Sequence, residues 1–197
     1  FGQDARHRFQ PVWSLGLRWN ASDEKWMKGQ NIVSNLAFTG SLGYQGNVAE
    51  NVSPDLICSI EKVDVNTGES TLKVSKRPTP DLKWEKTLSM NVGIDFAFFN
   101  NRINGVYNYY LKKTKDVITQ RSVPAENGVI SMYINGGDIT NSGWDLSLSV
   151  IPVRTKDFMW SISTSFSSNN NKVNSSMEPI HSYDDAVSGN KVKEGYP

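Results

Sequence analysis

From Thr87 to Phe98 apolar and polar residues alternate without a break. Leu88, Met90, Val92, Ile94, Phe96 and Phe98 fall on one side, and Thr87, Ser89, Asn91, Gly93, Asp95 and Ala97 on the other. A period of two is the signature of a strand. The run ends at Phe99-Asn100-Asn101-Arg102, whose paired Asn residues tolerate positive φ and predict a tight hairpin turn. Beyond it Ile103, Gly105, Tyr107, Tyr109 and Leu111 resume the apolar side, opposite Asn104, Val106, Asn108, Tyr110 and Lys112. Strands of soluble proteins run about 5–6 residues, whereas a tilted membrane-spanning strand needs about 9–11. These runs have the longer length. Asn91, Asp95, Asn104 and Asn108 ask for a wet surface, and apolar outside with polar inside is the pattern of a transmembrane barrel.

The same alternation recurs four more times. Trp13, Leu15, Leu17 and Trp19 oppose Ser14, Gly16 and Arg18 within residues 8–20; Leu36, Phe38, Leu42 and Tyr44 oppose Ala37, Thr39, Ser41, Gly43 and Gln45 within residues 35–45. Trp144, Leu146, Leu148 and Val150 oppose Asp145, Ser147 and Ser149 within residues 142–151; Phe158, Trp160, Ile162 and Phe166 oppose Met159, Ser161, Ser163 and Ser165 within residues 158–167. Six long strands are therefore expected. Their links take turns in length: residues 20–33, 99–102 and 152–157 are the shorter, residues 46–86, 113–141 and 169–197 the long ones. Outer-membrane barrels put short turns in the periplasm and long loops outside the cell, so those three long segments are expected to be extracellular. The 20–33 link fits least well, being longer than a tight turn. Within the first long loop, residues 59–65 and 70–76 around Asn66-Thr67-Gly68-Glu69 predict a small hairpin.

Composition narrows the function. The chain has 197 residues, 38% hydrophobic and 21% charged, and no stretch approaches the 18 or so consecutive apolar residues of a membrane helix. Net charge is +1 with no basic block, which disfavours nucleic acid. The lone cysteine, Cys58, permits no internal disulfide. His7 and His181 have no carboxylate spacing that reads as a zinc site, and no hydrolase elbow, P-loop or dinucleotide fingerprint occurs. Glu85 and Asp95 stand about 33 Å apart along one strand, too far for a glycosidase pair. No enzyme, cofactor or metal is expected.

Asp81-Leu82-Lys83-Trp84-Glu85-Lys86-Thr87, then Asn91-Val92-Gly93-Ile94-Asp95-Phe96 and Phe99-Asn100-Asn101-Arg102-Ile103, resemble the signature run in the barrel of SusC/RagA-type TonB-dependent outer-membrane transporters. Further pieces agree in order: Leu42-Gly43-Tyr44-Gln45-Gly46-Asn47, Tyr109-Tyr110-Leu111-Lys112-Lys113-Thr114, Asn135-Gly136-Gly137-Asp138-Ile139-Thr140-Asn141-Ser142-Gly143-Trp144 and Glu194-Gly195-Tyr196-Pro197. Leu17 and Asp145 stand where the family often has Trp and Glu, and neither disturbs the alternation. The resemblance implies an all-β antiparallel segment of a barrel of about 22 strands. It also implies active import of a glycan or, less often, a peptide, with a SusD-like surface lipoprotein as lid and TonB supplying energy. Six strands are too few to close, since barrels begin at about eight, so the chain is expected to be a portion of a longer protein without the plug.

The expected lumen-facing residues are Asn91, Asp95, Asn108 and Asp145. Direct ligand contact is expected from loop residues near Trp84 and Tyr133. Plain solvation of a barrel wall accounts for each polar residue equally simply. The alternative architecture is a soluble carbohydrate-binding β-sandwich, in which the same alternating aromatics fill a core and exposed Trp84 and Tyr133 stack sugars.

Overall fold

A computed structural model describes residues 9–48, 52–53, 55–60, 68–70, 72–79, 81–124, 126, 128–129 and 131–176. Six long strands form one antiparallel sheet: β1 (Trp13–Asn20), β2 (Val33–Asn47), β5 (Glu85–Phe98), β6 (Ile103–Lys115), β9 (Gly137–Arg154) and β10 (Met159–Ser176), in that spatial order. Among the described residues two short hairpins complete the strands, β3 (Ile57–Ile60) with β4 (Leu72–Lys76) and β7 (Ile118–Ser122) with β8 (Ser131–Asn135). β1 and β10 are opposite edges, so the sheet is not closed among the described residues.

Register carries each apolar set onto one face. Trp19 pairs with Phe38, Phe38 with Ile94, Ile94 with Tyr107, Tyr107 with Leu146 and Leu146 with Phe166. The Trp19 and Phe38 rings stack with centroids 5.6 Å apart. Phe96 lies where a Cβ on its cross-strand partner Gly105 would sit, so the ring fills the gap in that face. The run from Leu88 to Phe98 spans about 33 Å along the strand, or about 23 Å of height at a tilt of about 45°, close to the roughly 25 Å of an outer-membrane apolar band.

Among the described residues nothing packs on that face. Among the described residues the buried apolar side chains are Ala21, Ala37, Val52, Leu82, Ala97 and Val173, whereas Leu17 is 73% and Phe166 54% exposed. A sandwich needs an inner face interdigitated with a second sheet about 10 Å away, and no second sheet faces this one among the described residues. The soluble β-sandwich is thereby set aside.

The connections match the chemistry of their residues. Phe99, Asn100 and Asn101 take φ of 54°, 55° and 62°, and Arg102 N–H donates to the Phe98 carbonyl at 3.0 Å to close the turn. A left-handed Phe costs about 1–2 kcal/mol; Phe99 N–H is held on the Ile32 carbonyl at 2.7 Å. The longer link after β1 folds into two 3₁₀ turns, Ala21–Asp23 and Lys25–Met27, pinned where Trp19 Nε1–H donates to Glu24 Oε1 at 3.1 Å.

Three differences from the sequence reading have physical causes. The predicted hairpin in the first long loop pairs Ile57–Ile60 with Leu72–Lys76; residues 61–67, including Asn66 and Thr67, lie outside the described set, as do His7, His181 and the Glu194-Gly195-Tyr196-Pro197 motif. β10 continues through Ser176, well into the segment expected as loop, because β9 offers backbone partners up to Gly137 after apolar residues have given way to Asn and Ser. The β7–β8 hairpin was not anticipated.

Candidate functional site

The other face is polar, and register sorts it into rows. Arg18, Thr39, Gly93, Asn108, Asp145 and Ser167 are successive cross-strand partners. The row on one side reads Gly16, Ser41, Asn91, Tyr110, Gly143 and Asn169, and on the other Asn20, Ala37, Asp95, Val106, Ser147 and Ser165. The four candidates named from sequence thus occupy three adjacent rows of one face, with Asn108 directly opposite Asp145.

Short side chains there leave room for hydrogen bonding. Asn91 Nδ2–H donates to Ser41 Oγ at 3.0 Å, and the Ser149–Ser163 and Ser147–Ser165 hydroxyl pairs stand at 3.1 and 3.3 Å. A Cβ on Gly93 would meet Thr39 Oγ1 at 2.5 Å and Asn108 Oδ1 at 2.7 Å; glycine lets both polar groups lean over the strand. Arg18 Nη1 lies 2.9 Å from Asp95 Oδ2, while Arg18 Nε–H donates to Asn20 Oδ1 at 3.0 Å. β1 and β5 are separated by β2, hence by about 10 Å. The bridge passes over a position occupied by Ala37, fully buried and paired with Asp95. A shallow groove of about 310 Å³ lies along Arg18, Thr39, Ser41, Asn91, Gly93 and Asn108. It offers a ligand hydroxyl and amide groups and the Arg18 side chain, which suits water and neutral polar solutes.

At the end of the sheet away from the 99–102 turn, β6 and β9 run on into β7 and β8. The junction is tied down by residues of the two signature motifs. Asn135 accepts from Lys83 N–H at 2.9 Å through Oδ1, and its Nδ2–H group donates to the Lys83 carbonyl at 3.0 Å and the Asp116 carbonyl at 2.8 Å. The amide side chain thereby imitates a strand neighbour for the segment before β5. Glu85 accepts from Ile118 N–H at 2.7 Å and from Asn47 Nδ2–H at 2.8 Å. Asp138 Oδ1 accepts from Asp116 N–H at 3.2 Å, steadying Asp116 at φ 56°.

Between the 78–83 segment and the hairpin lies a pocket of about 680 Å³, walled by Leu82, Met132, Tyr133 and Ile134 with Asp81 and Arg121 at its polar positions. Tyr133 is on its wall. Trp84 is not on that wall; its ring lies 3.2 Å from where a Cβ on Gly46 would be, beside the β2–β5 pair. The structure therefore separates the two loop candidates. Arg18, Glu85 and Asn135 were missed as site residues, although Arg18 is the one charge on the polar side of its strand and the other two stand in quoted motifs.

An antiparallel sheet with a membrane-high apolar face and a polar, uncored reverse defines a transmembrane β-barrel wall. The model of the family described as TonB dependent receptor-like, beta-barrel, matches residues 2–197, and the chain belongs to that family of outer-membrane proteins. It is 32% identical over 178 residues to TonB-dependent receptor P26 of Formosa agariphila, covering 88% of this chain and 18% of that protein. It is 32% identical over 180 residues to TonB-dependent receptor SusC of Bacteroides thetaiotaomicron, again 88% of this chain and 18% of the relative. The solved RagAB peptide transporter superposes with a TM-score of 0.77 at 26% identity, covering 89% of this chain and 19% of that one. The chain thus spans about a fifth of the length of the relatives it matches. Those relatives are named as TonB-dependent receptors and a peptide transporter.

Proposed function

We propose that this stretch is part of the wall of a TonB-driven importer in the outer membrane, with its apolar face on lipid and its polar rows on the lumen. The observation that carries the reading is the pair of opposed faces on the same six strands, one apolar and one polar, with no core against either among the described residues. In this reading Asn91, Asp95, Asn108 and Asp145 face water or the plug, and segments 46–86, 113–141 and 169–197 stand outside the cell, where a SusD-like lipoprotein closes over them. The Tyr133 pocket is then a subsite for incoming ligand, and Trp84, apart from it beside Gly46, is a second contact at the outer rim.

An oligosaccharide is the favoured ligand class, on the resemblance of the motifs to SusC-type barrels. A peptide is the second reading, favoured by the likeness to the RagAB peptide transporter. The full-length transporter with its lipoprotein, expressed in a TonB-positive strain, should take up its labelled ligand. Uptake should stop in a strain lacking TonB and weaken several-fold with Tyr133→Ala. Uptake unaffected by loss of TonB would overturn the proposal.

A further inference from the structure

At the opposite end of the sheet a recess of about 530 Å³ opens between the 99–102 turn and the end of β9. Phe99, Ile103, Val150, Ile151 and Pro152 form its apolar wall, and Asn31, Asn100 and Arg102 its polar one. Ile103 and Val150 are direct cross-strand partners on the apolar face, so the recess is continuous with the surface that faces lipid. Its floor is closed where Ile151 N–H donates to the Arg102 carbonyl at 2.7 Å. Past that bond Pro152 has no N–H to give, and the β9–β10 register jumps from Val150 opposite Ile162 to Val153 opposite Trp160. The bulge bends β9 beside the turn and leaves the recess.

Arg102 is exposed, and among the described residues no ion pair engages its guanidinium. The short links at this end carry Lys25, Lys28, Arg102, Arg154 and Lys156 against Asp23, Glu24 and Asp157, an excess of positive charge at headgroup level. The apolar wall of such a recess within a bilayer gains nothing from water, whereas an acyl chain covers it with dispersion contacts. A guanidinium at its mouth matches a phosphate bidentately.

We propose that this recess seats a phospholipid, its phosphate on Arg102 and one acyl chain against Ile103 and Val150. The proposal rests on the apolar face meeting lipid, and is independent of what the barrel imports. Native mass spectrometry of the full-length protein, delipidated in mild detergent and reloaded with phosphatidylglycerol, tests it. Wild type should retain a bound lipid that Arg102→Ala binds about tenfold more weakly, the loss of one charge-assisted contact. Val150→Trp, which keeps the guanidinium but fills the trough, should weaken it similarly. Inorganic phosphate should not displace the lipid. Equal retention by wild type and Arg102→Ala, or displacement by phosphate alone, would overturn the lipid seat. Loss of the heat-resistant barrel in Val150→Trp would instead show Val150 packed on protein, and would sink the underlying sidedness.

Discussion

The Arg18 guanidinium reaches 2.9 Å from the Asp95 carboxylate across an intervening strand. It crosses β2 at Ala37, the smallest side chain that still fills the space, and so ties the edge strand to the third strand of the sheet. The side chains are 52% and 27% exposed. A pair so wet is worth about 0–1 kcal/mol, because solvent screens the attraction and holding a long side chain costs entropy. Its consequence is positional: it fixes where charge sits on the polar face more than whether the sheet folds.

The polar face should accordingly tolerate neutralisation. Asn91→Ala with Asp95→Ala in the full-length transporter is expected to leave heat-resistant gel migration intact while altering ligand uptake. A double-mutant cycle on Arg18 and Asp95 in denaturant should give a coupling below about 1 kcal/mol. If the double alanine variant lost the folded barrel, these residues would belong to a packed interior and the open lumen would be wrong.

Sidedness can be tested at two adjacent residues of one strand. Val92 is 46% exposed and Asn91 is exposed too, so a water-soluble sheet would accept arginine at either. In a bilayer Val92→Arg near the midplane should cost about 2–4 kcal/mol, and Asn91→Arg should be tolerated. Folding titrations into lipid vesicles would measure the difference; equal penalties would contradict the assignment of faces.

The long strands were legible because each keeps period two over the apolar band, and register then follows from the turn at Asn100-Asn101. What parity cannot convey is the row a residue occupies, since that depends on bulges such as those at Ser34 and Pro152. Asn108 facing Asp145 and Arg18 reaching Asp95 emerge only from register. Beyond the apolar band the signal fades: Asn169-Asn170-Asn171 is polar on both sides, so the end of β10 reads as loop. The β7–β8 hairpin was hidden likewise, its strands short and mixed, and its anchor is a side-chain amide from Asn135 rather than a pattern.

That anchor predicts a local effect. Asn135→Ala leaves the Lys83 N–H and the Lys83 and Asp116 carbonyls without this partner. The loss is about 1–3 kcal/mol, confined to the hairpin and the segment before β5. Hydrogen exchange should accelerate at Lys83 and Ile118 while amides of β5 and β6 hold their protection. Uniform acceleration throughout the sheet would mean that Asn135 supports the whole wall.

Topology is open to direct chemical test, and the chain supplies its own probe. Cys58 is exposed on β3, within the 46–86 segment expected outside the cell. A membrane-impermeant maleimide on intact cells should therefore label the native protein, and Cys58→Ser should remove the label from this stretch. In that background Gly68→Cys, between the same two strands, should label again, φ of 71° there making it a tolerant loop site only if the turn adjusts to a side chain. Asn100→Cys and Thr155→Cys lie in the tight links at the other end of the sheet and should react only after the outer membrane is breached. Labelling of those two in intact cells, with Cys58 silent, would invert the barrel in the membrane and move the Tyr133 pocket to the periplasm, where no incoming ligand could meet it first.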